Sequence, residues 1–364
     1  MWSIVCEELG RLMGADLYKA VYEDPSYEKF LVGAGVKTRL LLAAVLAAAP
    51  MPAMAQGAPV HVLLITGLGG EPAYSKSFHE AAGSIYDAAV KWGVPDSSRI
   101  WLAEDPARDR TRIRGRAAKE TVAAGFATLA QRAKPGDVVL VVLIGHGSGQ
   151  ARESKVNLSG PDPEAWEYEQ WLRPFLRSTV VFVNGASASG DFLPILAGPG
   201  RIIITSTRSS TERNESVFYS WFAKGLATAD ADADKDGRIS VLEAFSYART
   251  EVRRAYESDS RLLTEHAQLD DDGDGKGAAD PAGAESVDGA LSRQVAFGGA
   301  PASTNPRIVA LLAERRALEA DVAALRGRRA MTDSTAYGRE LERLLLLIAE
   351  KTAAIRVIER GGPP

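Results

Sequence analysis

The chain has 364 residues, 46% of them hydrophobic and 25% charged, and a formal net charge of -4. This is the composition of a globular protein with one large domain or two ordinary ones. It lacks the excess of positive charge that a nucleic-acid partner would require. The only cysteine, Cys6, belongs to no strand-end motif, so neither thiol catalysis nor a disulfide framework is expected.

Residues 37–55 have the layout of a secretory signal. Lys37 and Arg39 form the basic start, Leu40 to Ala49 an apolar stretch, and Ala53-Met54-Ala55 a small-x-small cleavage site before Gln56. Val36 stands where an initiator is expected. The reading is therefore an upstream extension at 1–35, a signal peptide at 36–55, and a mature, cysteine-free protein exported to the periplasm or the medium. A chain of that length needs no disulfides to hold a core. No apolar run reaches the roughly 18 residues of a spanning helix, so no membrane span is expected in the mature form.

Five apolar, β-branched runs then read as buried strands: 60–66, 100–103, 138–144, 179–184 and 201–206. Helical patterns lie between and after them at 77–92, 115–132, 163–177, 214–229 and 241–256. This alternation predicts an α/β domain over 56–262, with a mostly parallel sheet and helices on both faces. Residues 263–305, rich in Asp, Gly and Ala, read as an acidic linker. Residues 306–360 read as a helical hairpin or coiled coil. Leu311, Leu318, Val322 and Leu325 mark one stripe, and Tyr337, Leu341, Leu344, Ile348, Ile355 and Ile358 the other.

The stretch 232–243 matches an EF-hand calcium loop at each diagnostic position. Asp232, Asp234 and Asp236 supply carboxylates at positions 1, 3 and 5, and Gly237 permits the turn at position 6. Arg238 offers its backbone carbonyl at position 7. Ser240 coordinates directly or through water at position 9, and Glu243 closes the site at position 12. A Ca2+ cofactor is expected there. Asp270, Asp272 and Asp274 repeat the front half only, with Pro281 where a closing carboxylate would stand; a partial calcium site and an acidic loop both fit.

Two strand ends carry the remaining chemistry. His146 follows the 138–144 run within Gly-His-Gly-Ser, and Ser187 follows the 179–184 run within Ala-Ser-Ala-Ser-Gly. The carboxyl ends of strands are where open α/β sheets place their sites. One intervening helix makes the two strands plausible neighbours. Glycines beside His146 read as allowing the turn and leaving the imidazole accessible.

With these blocks, together with KVNLSGPD and IIITSTRSSTERNES, residues 59–262 resemble the bacterial secreted relatives of legumain in the caspase-like superfamily. The resemblance implies a caspase-like fold in which the position of Ser187 carries a nucleophilic cysteine and His146 is its base. It also implies an acidic specificity residue two positions before the nucleophile, where this chain has Gly185. An asparagine is implied near 67–70, where this chain has Gly-Leu-Gly-Gly. Three family positions are thus altered.

A serine hydroxyl is far less acidic than a thiol and needs a closely held base, usually backed by a carboxylate. No such residue stands near His146 in sequence, although a distant acid such as Glu212 could serve. Ser148 and Ser189 are further hydroxyls near the same turns. Three functional readings follow. The first is a calcium-stabilised, non-catalytic relative whose pocket binds a peptide or protein. The second is a serine hydrolase using Ser187, His146 and backbone amides near Gly147. The third is an envelope scaffold or interaction protein working through its C-terminal hairpin, by self-association or by capture of an envelope partner.

Overall fold

The computed structural model describes residues 58–283, 286–298, 305–327 and 333–359. The signal segment, Val36, Cys6, Gln56 and the link between the last two helices lie outside the described residues.

A seven-stranded sheet has the order β10 (Gln268–Asp270), β8 (Arg201–Thr205), β7 (Thr179–Asn184), β4 (Val138–Ile144), β1 (Val60–Thr66), β2 (Arg99–Ala103) and β3 (Gly115–Arg116), while β5 (Gly147–Ser148) and β6 (Lys155–Val156) pair in a small separate sheet. The central strands of the large sheet are β1, β2, β4, β7 and β8, all paired in parallel. Their continuous apolar sequences have a direct cause, since each strand is covered on both faces. Side chains alternate between the faces with period two. Val62, Leu64, Leu140, Val142 and Ile144 enter one core; Leu63, Ile65, Val139, Val141 and Leu143 enter the other. Each such side chain, fully buried, contributes about 1.5–3 kcal/mol.

Helices α1 (Pro72–Lys91), α5 (Phe218–Ala227) and α6 (Val241–Ser258) supply residues to the first core. The second core is covered by α2 (Lys119–Ala130), α3 (Ala165–Leu172) and α4 (Phe192–Leu196). The expected α/β class, mostly parallel sheet and two helical layers are therefore present. Several boundaries shift for local reasons. Gly115–Arg116 is a short edge strand, β3, and not the start of a helix. The helix expected over 163–177 stops at Leu172, and a 3-10 turn follows over Arg173–Phe175, with Pro174 inside it. The helix expected from 214 begins at Phe218, because the Glu265 carboxylate accepts the N–H groups of Val217 and Phe218 and caps that end from across the fold.

The largest departure is the segment 263–305, which is not a linker where it is described. Gln268–Asp270 forms β10, the antiparallel edge of the main sheet, opposite β8. Asp271 accepts the N–H groups of Gly289 and Ser292, while its own N–H donates to Asp288. These mutual bonds let buried carboxylates hold the segment in place. It continues through α7 (Ala290–Gln294) to β11 (Ala296–Phe297), and Phe297 stacks on Trp92 at 4.7 Å.

Two helices follow, α8 (Pro306–Gly327) and α9 (Ser334–Glu359). Ile308 and Leu312 cluster with Ile355, and Val322 and Leu325 with Leu344, so the two helices pack side by side in opposite directions; Ile308 and Leu312 lie outside the stripe read from the sequence, and Leu311 and Leu318 are only partly buried. Among the described residues, no helix is long and apolar enough to cross a membrane.

Candidate functional site

The register of the sheet brings His146 and Ser187 together. Strands β4 and β7 pair with Leu143 opposite Asn184, and each site residue stands three positions beyond that pair. The junction is closed by Gly147, whose N–H donates to Ser187 Oγ at 3.2 Å. A Cβ on Gly147 would fall 2.0 Å from the Ser187 carbonyl oxygen, so close approach of the backbones is what requires glycine there. The expected turn-permitting role is not the reason, since φ is positive at neither Gly145 nor Gly147.

His146 is half-buried, and its Nε2 lies 3.2 Å from the Gly69 carbonyl. A carbonyl only accepts, so this contact selects the tautomer protonated at Nε2 and leaves Nδ1 with the lone pair. The ring packs edge-on against Tyr74 at 4.8 Å and Phe78 at 5.3 Å. Phe78 in turn meets Tyr219, whose hydroxyl bonds Ser77 Oγ at 2.8 Å. The Tyr74 hydroxyl donates to Glu215, and that neighbouring carboxylate raises its pKa. Burial pushes the Tyr219 phenol up to about 12. Among the described residues no carboxylate is hydrogen-bonded to His146. Glu212, the distant acid considered from sequence, is engaged elsewhere. Its carboxylate contacts His266 Nδ1 at 2.8 Å and accepts the N–H of Arg208 at 3.0 Å.

Side-chain substitution at Gly185 is blocked by packing. A Cβ there would lie 2.7 Å from Tyr219 Cβ and 3.2 Å from the Leu143 carbonyl oxygen. Gly67 and Gly69 are equally confined, by the Asn157 carbonyl at 2.4 Å and by Ser75 Oγ at 2.3 Å. Ser189 is buried in a network with Ser206 and Thr207, and Ser148 Oγ donates to Asn157 Oδ1. Both hydroxyls hold structure.

Asn157 was legible only as part of a block, yet it ties three loops together. Its N–H donates to the His146 carbonyl at 2.9 Å, and its carbonyl accepts from Leu68 N at 2.9 Å. Ala188, next to Ser187, has φ 54 and donates its N–H to the Glu212 carbonyl at 2.8 Å. A left-handed alanine costs about 1–2 kcal/mol, and the surrounding bonds fix the turn that presents Ser187.

The second constellation is the 232–243 loop. Asp232 accepts the N–H groups of Asp236 at 3.1 Å and Gly237 at 3.0 Å. Asp234 accepts from Asp236, and the Asp236 carboxylate accepts from Arg238. Positive φ at Lys235 and Gly237 allows this winding. Ser240 caps α6 by accepting the N–H of Glu243 at 3.2 Å, and Glu243 Oε2 accepts the N–H of Ser240 at 2.8 Å. The closing residues of the loop are thus the capping box of the next helix. Glu243 Oε1 also reaches back to the N–H of Ala233 at 3.0 Å. Oxygens of Asp232, Asp234 and Glu243 all lie within 4.8 Å of one another. Burial and the Asp236 charge raise the Asp234 carboxyl to about 6. An all-oxygen donor set crowded in this way could hold a hard cation.

Two further elements embrace this loop. The strand β9 (Ile239–Ser240) pairs with β11. From α8, the Arg315 guanidinium donates to Asp234 Oδ2 at 2.7 Å. Sequence reading missed Arg315, although a signal was available: Ile308, Leu312, Arg315, Glu319 and Val322 recur at alternate fours and threes. Two charged residues therefore occupy an otherwise apolar stripe.

Asp270, Asp272 and Asp274 also lie within 4.8 Å of one another. The N–H of Gly275 donates to Asp270 Oδ2 at 2.6 Å, that of Asp274 to Asp272 at 2.9 Å, and that of Lys276 to Asp274 at 2.7 Å. The front half of the 232–243 ladder is reproduced, with positive φ at Gly273 and Gly275. Lys276 Nζ lies 3.1 Å from the Asp274 carboxylate. Burial, with the neighbouring Asp271, Asp272 and Asp270, pushes the nearby Asp288 carboxyl up to about 7. No protein-family model and no curated protein matches the chain.

Proposed function

We propose that this is an exported calcium-binding protein on a caspase-like frame of the legumain kind, whose strand-end site binds a peptide or protein partner and does not cleave it. The carrying observation is the pairing of His146. Its Nε2 faces a backbone carbonyl, and Glu212 is committed to His266. Serine attack needs a base whose developing charge is stabilised, and among the described residues no carboxylate is hydrogen-bonded to His146 to supply that. The Tyr74 ring beside His146, with exposed Leu68 in the 67–70 loop, suits capture of an apolar peptide side chain, and Phe78, 2% exposed, backs the His146 ring from the core. The test is binding of a fluorescent peptide library to the full chain and to Tyr74→Ala. Retention that is lost in the variant supports the reading; retention unchanged by the variant opposes it.

The 232–243 loop supports an EF-hand reading through its donor order and its helical flanks, α5 and α6. Asp232, Asp234, Asp236, the Arg238 carbonyl, Ser240 and Glu243 would hold the ion. Bound Ca2+ supplies positive charge that offsets the crowded carboxylates. The residues themselves start α6 and hold the loop's turn. Calorimetric titration of the full chain with calcium, beside Glu243→Gln, tests it; heats indistinguishable between the two proteins would contradict it. Export rests on the 37–55 pattern and is checked by N-terminal sequencing of protein recovered outside the cytoplasm, which should begin at Gln56.

A serine hydrolase is the second reading. It is favoured by the Gly147 N–H on Ser187 Oγ, which polarises the hydroxyl, and by the lone pair left on His146 Nδ1. Peptide cleavage abolished by Ser187→Ala would establish it. Self-association through α8 and α9 is favoured by Leu345 and Leu346, exposed by 48% and 65%. Sedimentation of the full chain as a monomer at all concentrations would remove it.

A further inference from the structure

The helix α8 places a buried guanidinium on the edge of the 232–243 loop. Arg315 is 4% exposed. Its guanidinium donates to Asp234 Oδ2 at 2.7 Å and to the Asp234 carbonyl at 3.3 Å. Its Nε forms an ion pair with Glu319 Oε1 at 3.6 Å, beyond hydrogen-bond reach, and is buried without a hydrogen-bond partner. A desolvated cation is retained only where strong negative potential offsets the cost. Here that potential comes from Asp232, Asp234, Asp236 and Glu243 on the loop and Glu319 on α8. Glu319 is raised in pKa first by its own burial, is lowered by the Arg315 and Arg293 charges, and is raised further by Asp236 and Glu243, so it faces both the guanidinium and the loop carboxylates. The Asp234 carboxylate is therefore divided: Oδ1 accepts the loop's Asp236 N–H, and Oδ2 holds α8.

We infer that Arg315 is a tethered cation that opposes calcium at the 232–243 loop, so that calcium loading loosens the docking of α8 and its partner α9. The inference rests on the calcium reading above. Its sign follows from Coulomb's law, because each cation added to one carboxylate cluster weakens the attraction for the other. Its reciprocity follows from linkage: whatever factor calcium takes from docking, docking takes from calcium affinity. The contact joins residues 81 positions apart, so a local ion would be read out by an element far along the chain. In the metal-free state the same guanidinium partly neutralises the loop.

The experiment is calcium titration by calorimetry on the full chain and on Arg315→Gln, with hydrogen exchange of α8 followed at zero and saturating calcium. The expected result is calcium affinity at least about fivefold higher in Arg315→Gln, within the usual span of coupling. In the unmutated chain, saturating calcium should speed exchange in α8. In Arg315→Gln, exchange should be fast with or without calcium. Equal affinities in the two proteins, or α8 exchange slowed by calcium in the unmutated chain, would overturn the inference and leave the calcium reading standing. Absence of calcium heat in both proteins would instead remove the calcium reading and the inference with it. The exchange measurement on the unmutated chain needs no variant, so a poorly folding Arg315→Gln would not block the test.

Discussion

The 232–243 loop and the His146–Ser187 site are both built where the fold delivers backbone amides and side chains to one point, but they differ in completeness. In the loop, every carboxylate is present and already threaded by amides: Asp232 takes two, Asp234 and Asp236 one each, and Glu243 closes on Ser240 and Ala233. At the strand ends the geometry is equally well made, with β4 and β7 in register and Gly147 pressed on Ser187. There the chemical groups are few. Ser187 offers a hydroxyl, His146 rests on a carbonyl, and Gly185 has room for no side chain. The shape of such a junction is set by packing, and its reactivity by a few atoms.

The sharpest way to break this contrast is to place an acid at the strand-end site. Gly185→Asp would press a carboxylate into Tyr219 and the Leu143 carbonyl. Overpacking together with a buried charge should destabilise the chain by about 3 kcal/mol or more. Chemical denaturation would measure it; a variant as stable as the parent would mean that Tyr219 moves aside and the pocket is open.

Calcium removal comes next. At a hundredfold excess over Kd, one bound ion adds about 2.7 kcal/mol, so a chelator should lower Tm by several degrees, and Glu243→Gln should abolish the difference. Superimposable melting curves with and without chelator would contradict this.

Asp288→Asn has a smaller effect with a defined pH signature. Its carboxyl is raised from 3.8 to about 7 in the folded chain, so the folded state is penalised where the group is ionised. The penalty is full above about pH 7 and is relieved as pH falls towards 4. The variant should therefore be more stable by about 1–2 kcal/mol at pH 8 in metal-free protein, with the gain shrinking on acidification. A gain independent of pH would point to packing.

The smallest effect separates the two acidic loops. The 270–276 loop repeats the ladder but ends at Pro281 and carries Lys276 against Asp274. Asp274→Asn should leave both the number of calcium ions bound and their affinity unchanged in calorimetry. Loss of one bound ion would make this a second calcium site.

Much of the frame was legible because buried parallel strands are written as unbroken apolar runs; Val60–Thr66, Val138–Ile144 and Thr179–Asn184 agree with their expected limits. β10 escaped because it is three residues long, is antiparallel, and ends in an aspartate whose carboxylate is satisfied by the N–H groups of Gly273 and Gly275. Composition alone read that stretch as an acidic linker. His146, Ser187 and the loop carboxylates were legible as motifs at element ends. The 67–70 loop was legible only as a block, and Tyr74, Phe78 and Tyr219 were not, since their part in the site depends on which loops meet across the sheet. The role of Gly185 likewise depends on Tyr219, 34 positions later, and no spacing rule connects the two.

The most direct test of the central claim is turnover of a diverse fluorogenic peptide library by the calcium-loaded chain, run beside Ser187→Ala. The account predicts no cleavage that depends on Ser187, alongside peptide retention by both proteins. Cleavage present in the parent and lost in Ser187→Ala would contradict it and make the strand-end site a working serine centre.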